Sequence, residues 1–358
     1  MKIIKNFNIY LIIVMATIFF IFGCVNNEEN VNILNTEKPA EKSLEKVIEK
    51  PAESKYFTVL SGIPNIQNPK NLAWPRIISI NDKDIIIPKK PEKLITISLG
   101  HDEVLFGITS NEQIVGTTIF AQEEGSNILD KAKGLPTISS DPESIIALEP
   151  DIVFADSYAS VDLIDALEDI GIIVIQTPLN NDLNGRKKDI WLMAYITGNL
   201  QSAELLISNI DKKIKILENI AKSSQEVNKK VLTLSWWDAY WTAGKGSTED
   251  SIITLTGATN VAAENQIQSN TTIDKELLIS MNPEIIIVTQ SANWGGKDFY
   301  DQIFEDETLS SIDAIKNNNV YMVNSNLWGT LSYWNIKGAE ELMKILLNIN
   351  NIENFGDF

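Results

Sequence analysis

The chain has 358 residues, 44% of them hydrophobic, which is enough for two domains of ordinary size with sizeable cores. Its formal net charge of −18 argues against nucleic-acid binding, because phosphate recognition needs clustered lysine and arginine. Cys24 is the one cysteine and excludes an internal disulfide framework. His101 is the one histidine, which argues against a histidine-based catalytic triad and against a multi-histidine zinc site.

The N-terminus has the pattern of an export signal. Two lysines precede a mostly apolar run, 9–22, which is short for a membrane span of about 20 residues. The sequence Ile21–Cys24 resembles a lipobox, whose cysteine becomes the lipidated first residue of the mature protein, although Phe22 is bulkier than the usual residue. We therefore predict a lipoprotein signal peptide at 1–23 and a lipid anchor at Cys24 on the outer face of the cell membrane. The alternative is an uncleaved signal anchor, and either one places the rest of the chain outside the cytoplasm.

The next segment, 24–55, is rich in asparagine, glutamate, lysine and proline. It contains the sequence Glu-Lys-Pro-Ala-Glu twice, at 37–41 and at 49–53. Such a composition buries too little apolar surface to fold, so we predict a disordered tether between the anchor and the folded part.

The remaining chain alternates apolar strand candidates with helical segments. Runs such as 285–288 are continuously apolar, which is typical of parallel strands that are buried on both faces. Alternation of strands and helices predicts an α/β architecture with crossover helices. The predicted strands are Leu94–Ser98, Gln113–Thr118, Asp151–Ala155, Ile172–Gln176, Val231–Ser235, Glu284–Thr289 and Val320–Val323.

One sequence pattern occurs twice in the chain. In 141–154, an Asp-Pro-Glu start leads to a Pro-Asp pair and an apolar run, and 274–287 repeats this order with Asp-Lys-Glu and Pro-Glu. Each copy predicts a helix with a glutamate in its first turn, a proline that ends the helix, and a buried strand. The repeat indicates two related lobes.

A long amphipathic segment, 200–224, separates the two copies and predicts a helical rod of roughly 37 Å, with Asn199 as its N-cap. The predicted fold is therefore two α/β lobes with mostly parallel central sheets, joined by one long bridging helix. Its parts are an N-terminal lobe at 56–185, a connecting helical segment at 186–228 and a C-terminal lobe at 229–358. The alternative is an ordinary surface helix inside a single domain.

Three segments resemble motifs of a known family. Pro91–Ser98, Asp102–Gly107 and Glu143–Phe154 are similar to segments of the helical-backbone (class III) periplasmic binding proteins for ferric siderophores, haem and cobalamin. The chain departs from that family at Asn81–Asp84, where a glycine-containing hairpin is usual, and the segment 56–73 matches no family motif.

The resemblance implies a monomeric receptor of an ABC importer. Such a receptor binds a metal chelate between its lobes, carries no cofactor and has no enzymatic activity. It delivers the chelate to a permease dimer that is driven by a cytoplasmic ATPase. Glu143 and Glu276 match the family glutamates that meet arginines on the two permease subunits.

Aromatic residues follow most of the predicted strands. Ligands of open α/β sheets bind beyond the carboxyl ends of the strands, and aromatic side chains there suit a large, flat or apolar ligand. The alternative interpretation is that some of these aromatic side chains pack in the core and do not contact a ligand. The expected ligand-binding aromatic residues are Phe120, Tyr158, Trp236, Trp237, Tyr240, Trp241, Trp294 and Trp328, of which Trp241, Trp294 and Trp328 are preferred.

His101 follows the first predicted strand and has two interpretations. One is a ligand to haem iron or corrinoid cobalt, and the other is a loop histidine with local hydrogen bonds. The chain has only two arginines, which makes a highly anionic tricatecholate less attractive than cobalamin, haem or a neutral hydroxamate. Two other functions stay open, namely a chelatase-like enzyme that uses His101 and Asp102, and a surface receptor or sensor without a transporter.

Overall fold

The computed structural model of the protein describes residues 54–358. The predicted signal peptide, the predicted lipidation site Cys24 and the predicted tether up to residue 53 lie outside the described residues. Residue 56 was the predicted start of the N-terminal lobe. Lys55, just before it, already contacts the folded part of the chain, because its Nζ lies 2.5 Å from Glu204 Oε2. Within the described part of the chain, no helix has both the length and the apolar character needed to cross a membrane.

A short helix and an antiparallel hairpin precede the first large sheet. They are α1 (Phe57–Leu60), β1 (Arg76–Ile80) and β2 (Lys83–Ile87). The hairpin turns on Asn81 and Asp82, at φ values of 51° and 60°. Two-residue hairpin turns require this left-handed conformation, and asparagine and aspartate tolerate it. The hairpin therefore forms without the glycine that the resemblance led us to expect.

Buried Arg76 connects the segment before it to the rest of the protein. Its guanidinium donates hydrogen bonds to the backbone carbonyls of Leu72 and Tyr195. The Tyr195 hydroxyl in turn donates to the carbonyl of Asn71 at 3.1 Å. The segment 56–73, which matches no family motif, thus covers one side of the helix that carries Tyr195.

The first lobe contains a parallel sheet of five strands in the order β5-β4-β3-β6-β7. Four of these strands lie within two residues of their predicted bounds, and β5 was missed because two residues give no periodic pattern. The elements are β3 (Leu94–Thr96), α2 (Leu99–Ile108), β4 (Ile114–Thr118), α3 (Leu129–Ala132), β5 (Thr137–Ile138), α4 (Pro142–Ile146), β6 (Ile152–Ala155), α5 (Val161–Asp169) and β7 (Ile173–Gln176).

Two helices then lead to the second lobe, α6 (Leu183–Thr197) and α7 (Leu200–Ser223). Gly198 ends α6 in the left-handed conformation, with φ at 79°. The predicted long helix is α7, whose 24 residues make a rod of roughly 36 Å. It packs against α6 and against α2 of the first lobe.

The second lobe contains a mixed sheet in the order β11-β9-β8-β12-β13, with β10 paired to β8. β8, β10, β12 and β13 pair in parallel, whereas β9 and β11 add an antiparallel edge. The elements are β8 (Lys230–Trp236), β9 (Tyr240–Ala243), α8 (Thr248–Leu255), β10 (Thr259–Asn260), α9 (Val261–Glu264), β11 (Asn270–Ile273), α10 (Lys275–Met281), β12 (Ile285–Val288), α11 (Gly296–Glu305), α12 (Asp313–Lys316), β13 (Val320–Met322), α13 (Ser325–Trp328) and α14 (Asn335–Leu347).

The sequence repeat is also a structural repeat. Asp141 and Asp274 are the N-caps of α4 and α10, and each side chain accepts a backbone N–H of its helix. Each copy then contains a left-handed residue directly before its proline, Glu149 at φ 49° and Asn282 at φ 41°. The two copies therefore enter their buried strands by the same backbone path.

The end of the chain contacts both lobes. Helix α14 packs against α7 and α8, and the segment before it reaches the first lobe. There the buried carboxylate of Glu103, on α2, accepts hydrogen bonds from the hydroxyls of Thr330 and Ser332. Residues near the C-terminus thus form part of the contact between lobes.

Candidate ligand-binding cleft

A cavity of about 620 Å³ lies between the two lobes. Part of its lining lies at and beyond the carboxyl ends of β8 and β12, where open α/β sheets bind ligands. The first lobe contributes Leu99, Glu123 and Glu124, and the second contributes Ser235, Trp237, Glu249, Asn270, Thr289, Gln290, Ser291, Asn293, Trp294, Ser325, Asn326, Gly329 and Thr330.

A second cavity of about 310 Å³ continues the first one toward β9. The two share Ser235, Trp237, Glu249, Asn270 and Thr289, so they form one cleft. The extension adds the ring of Trp241, together with smaller side chains of β8 and β9.

Three tryptophans form the aromatic wall of this cleft. Trp237 is 53% exposed, Trp294 is 65% exposed and Trp241 is 36% exposed. Indole rings of this size are usually well buried in a folded protein, so three exposed rings around one cavity make this wall a candidate binding surface. All three were predicted ligand contacts, and the structure brings them together.

Trp236 lies at the margin of the cleft, and Tyr240 lies beside it. Their ring centroids are 4.9 Å apart in an edge-to-face arrangement, and the Trp236 ring also stacks at 6.2 Å on Phe299. They line a smaller cavity of about 290 Å³. Trp236 also lines one of about 340 Å³, which shares Trp237 and Trp294 with the cleft.

Trp328 corrects a sequence prediction. Its side chain is 0% exposed, and its indole N–H donates to Glu341 Oε2 at 3.0 Å. Trp328 was one of the three preferred ligand contacts, and this was wrong. It belongs to α13, which begins three residues after β13 ends, and this short helix turns the ring into the core.

His101 is also a correction. It lies in the first turn of α2 and is 0% exposed. Its Nδ1 lies 2.7 Å from Ser98 Oγ, and its Nε2 lies 3.1 Å from Thr177 Oγ1. Burial lowers the pKa of His101 to about 3. Both ring nitrogens are occupied inside the first lobe, so the metal-ligand interpretation was wrong and the local hydrogen-bonding interpretation describes the residue.

Asp102 joins three elements of the first lobe. Its carboxylate accepts from the Thr96 hydroxyl at 2.6 Å, from the Thr118 hydroxyl at 2.7 Å and from the Thr118 backbone N–H at 3.0 Å. Burial raises the pKa of Asp102 to about 7. Neither Asp102 nor His101 lines the cleft, so the residues named for a chelatase-like enzyme do not form a site there. The described part of the chain also holds no group of three or more His, Cys, Asp or Glu residues that suits a metal ion.

Phe120 and Tyr158 are exposed but do not line the cleft. Phe120 is 54% exposed after β4, and Tyr158 is 91% exposed after β6. They occupy the predicted strand ends, but the structure does not bring them to the cavity.

Sequence reasoning missed most of the polar lining. Thr289, Gln290 and Ser291 directly follow β12, so the strand-end rule that selected the tryptophans also applies to them. Asn270 lies on β11, a strand that was not predicted, and Glu249 lies in the first turn of α8. No sequence signal pointed to these two residues.

Glu143 and Glu276, the predicted docking residues, are far apart in sequence but alike in setting. Each is exposed in the first turn of its helix, α4 or α10. A carboxylate in this position is favoured by the helix dipole.

Comparison with known proteins identifies the family of the chain. The family model described as "Periplasmic binding protein" matches residues 94–327, which is more than half of the chain. The chain therefore belongs to the periplasmic binding protein family, and its class is that of a substrate-binding protein.

Individual relatives are distant. The chain is 24% identical over 267 residues to the uncharacterized ABC transporter substrate-binding lipoprotein YvrC of Bacillus subtilis, which covers 73% of this chain and 82% of that protein. It is 20% identical over 245 residues to a cobalamin-binding protein of Halobacterium salinarum, covering 68% of this chain and 66% of the relative. Among solved structures, the periplasmic haem-binding protein RhuT from Roseiflexus has the same fold, with a TM-score of 0.62, 19% identity, and coverage of 72% of this chain and 98% of RhuT.

Proposed function

We propose that this protein is the extracytoplasmic substrate-binding component of an ABC importer and that it binds a metal chelate in the cleft between its lobes. The observation that carries this proposal is the cavity of about 620 Å³ with exposed tryptophans on its wall. Indole faces suit large planar or apolar ligands, and such ligands bind in clefts of this size. The relatives named for cobalamin and haem binding support a chelate as the ligand.

The lobes are held together beside the cleft, which favours small tilts over a wide hinge motion. Asn326 Nδ2 donates to the carbonyl of Gly125 at 2.7 Å, and Asn127 Nδ2 donates to the carbonyl of Asn326 at 2.8 Å. Together with α7, these bonds restrain the second lobe against the first. The ligand would therefore enter a largely preformed cleft.

Delivery to the transporter would use Glu143 and Glu276. Two exposed carboxylates at matching places of two related lobes suit a twofold permease that offers one arginine socket to each. Charge-assisted contacts of this kind provide orientation and raise the rate of encounter.

The proposal includes lipid anchoring at Cys24, which lies outside the described residues. Mass spectrometry of protein extracted from native membranes should detect an acylated Cys24 as the first residue. Detection of an intact Met1 would instead show that the signal is retained.

Binding of a chelate is tested most directly by colour. The purified protein is incubated with cyanocobalamin, a ferric trihydroxamate or haemin, desalted, and read by visible absorption. We expect one chelate to remain with the protein and to quench tryptophan fluorescence. The test of the site is the Trp241→Ala and Trp294→Ala double variant, which should retain less of that chelate than the wild type. If no chelate is retained by the wild type, the proposed ligand class is wrong.

A further inference from the structure

The charged side chains that line the cleft are all acidic. They are Glu123 and Glu124 from the first lobe and Glu249 from the second, and the described cleft lining includes no lysine, arginine or histidine. Glu123 and Glu124 are exposed at the rim, whereas Glu249 lines both parts of the cleft and is partly buried. A ligand in this cleft therefore meets negative charge and no cationic side chain.

The nearest buried cation does not change this conclusion. Arg186 lies beneath the cleft, is 3% exposed and does not line the cavity. One guanidinium nitrogen donates to the carbonyls of Thr330 and Ser332, and another donates to Thr248 Oγ1 at 2.9 Å. These two nitrogens are already used by the protein. The remaining N–H, at Nε, is buried without a hydrogen-bond partner, and Arg186 lines neither part of the cleft.

Glu249 is the carboxylate best placed to contact a ligand. Burial raises its pKa, while a backbone hydrogen bond, the Arg186 charge and a hydrogen bond with Ser247 act in the opposite direction. Its carboxyl oxygens accept hydrogen bonds, so they favour a ligand that presents an N–H or O–H donor or a positive charge.

The neutral lining adds both donors and acceptors. Ser235, Thr289 and Asn270 carry hydroxyl and amide groups, which match the amides of a ligand in either direction. They do not supply the fixed positive charge that a carboxylate, a phenolate or an oxyanion requires when it leaves water.

Resting on the proposed function, we infer that the cleft selects an uncharged or cationic metal chelate whose periphery carries N–H donors, and that it discriminates against chelates that present carboxylates. Corrinoids with peripheral carboxamides and ferric trihydroxamates with a terminal ammonium belong to the accepted class. Tricatecholates, porphyrins with free propionates and small oxyanions belong to the rejected class. Like-charge contact in a desolvated site is a recognised means of excluding the wrong partner.

The test uses pairs of ligands that differ only in charge. Cyanocobalamin is compared with a derivative in which peripheral amides are hydrolysed to carboxylates. A ferric trihydroxamate with a terminal ammonium is compared with the same chelate after the amine is succinylated to a carboxylate. Dissociation constants come from quenching of tryptophan fluorescence at pH 7.5 and low salt. In whichever pair binds, we expect the carboxylate member to bind at least tenfold more weakly.

A charge-neutral variant identifies the responsible residue. In Glu249→Gln, the difference in log Kd between the two members of the pair should fall to less than half of its wild-type value. This difference is called the gap below. The matched control is Glu112→Gln, an exposed glutamate just before β4, at the opposite end of that strand from the cleft, and it should leave the gap unchanged.

Failure of this inference is distinguishable from failure of the proposed function. If both members of a pair bind equally, or the carboxylate member binds more tightly, the charge selection is wrong and chelate binding stands. If the wild-type protein prefers the member without the carboxylate and Glu249→Gln keeps the same gap, Glu249 is not the residue responsible for the selection. If no member of either pair binds but haemin is retained, the charge selection is wrong and chelate binding stands; if haemin is not retained either, the proposed function and the charge selection fail together.

Discussion

In both lobes, the inner parallel strands end at the carboxyl edge of their sheet, but the side chains at that edge are arranged differently. In the first lobe, Thr96 and Thr118 both donate hydrogen bonds to Asp102, and His101 is sealed beneath the surface. In the second lobe, the chain beyond β8 and β12 exposes Trp237 and Trp294 to the cavity. Topology therefore provides two possible binding edges, but hydrogen bonding within the first lobe closes one of them. The wall of the cleft is therefore supplied mainly by the second lobe.

The first turns of α4 and α10 show the opposite relationship, because at these positions the two lobes are alike. We expect Glu143→Ala combined with Glu276→Ala to give the largest effect on function. Loss of both charge-assisted contacts to a permease should reduce uptake by a reconstituted importer by more than tenfold, since contacts of this kind contribute roughly 1.5–3 kcal/mol each. Ligand affinity and melting temperature should change little, because both side chains are exposed and neither lines the cleft.

A charge-matched control separates docking from net charge. Glu112→Ala with Glu264→Ala removes the same charge from exposed positions outside the repeat. Uptake by this control should equal that of the wild type. Normal uptake by the Glu143 and Glu276 double variant would exclude the docking role, and loss of ligand binding in it would make these residues structural.

The second-lobe wall is tested by truncating its tryptophans one at a time. Trp241→Ala and Trp294→Ala should each weaken chelate binding by about tenfold or less, because aromatic contact adds roughly 0.5–1.5 kcal/mol beyond burial. Titration of the visible absorption of the chelate measures this without relying on tryptophan fluorescence. Trp241→Phe and Trp294→Phe are the controls and should retain most of the affinity. Wild-type affinity in both folded alanine variants would place the ligand elsewhere.

The scaffold was predictable from sequence because its signals are local and repeated. Continuous apolar runs located seven strands, and the long apolar stripe located α7 to within one residue at its end. The antiparallel edge formed by β9 and β11 was missed, since the aromatic residues of β9 were interpreted only as ligand contacts. Strand β9 carries Tyr240 and Trp241 on adjacent positions, which point to opposite faces of a strand.

The candidate site was less predictable, because sequence position does not show how deeply a side chain is buried. The strand-end rule selected Trp294 and Trp328 on equal grounds, but a short helix buries the second of them. The same rule selected His101, whose ring nitrogens are instead taken up by hydrogen bonds to Ser98 nearby and to Thr177, 76 residues away in the chain. Glu249 had no sequence signal, since its place in the cleft depends on how α8 packs.

The sealed edge of the first lobe predicts a specific dependence of stability on pH. The pKa of His101 is about 3 in the folded protein, below the usual value of 6.5. As pH falls from about 6.5 toward 3, the unfolded chain therefore binds a proton that the folded chain does not, and stability is lost by up to roughly 1.4 kcal/mol per pH unit. His101→Gln should be less stable at pH 7.5 but lose less stability on acidification.

Urea unfolding at pH 7.5, 5.5 and 4.5 measures this difference. Asp102 also titrates in this range, but its contribution is common to wild type and variant and cancels to first order when the two are compared. Parallel stability curves would mean that His101 accepts a proton in the folded protein, and the sealed description of this edge would be wrong.

The smallest expected effects belong to the exposed aromatic residues of the first lobe. Phe120→Ala and Tyr158→Ala should change chelate affinity by less than twofold, because neither ring lines the cleft. Only a wide closure of the lobes would carry them to the ligand, and the bond from Asn326 to the Gly125 carbonyl restrains such a closure. Titrations of both variants beside Trp294→Ala and the conservative control Tyr158→Phe measure the contrast between lobes directly. A tenfold loss in either alanine variant would show that the first lobe closes onto the ligand, and that both strand edges contribute to the binding that we propose for the second lobe alone.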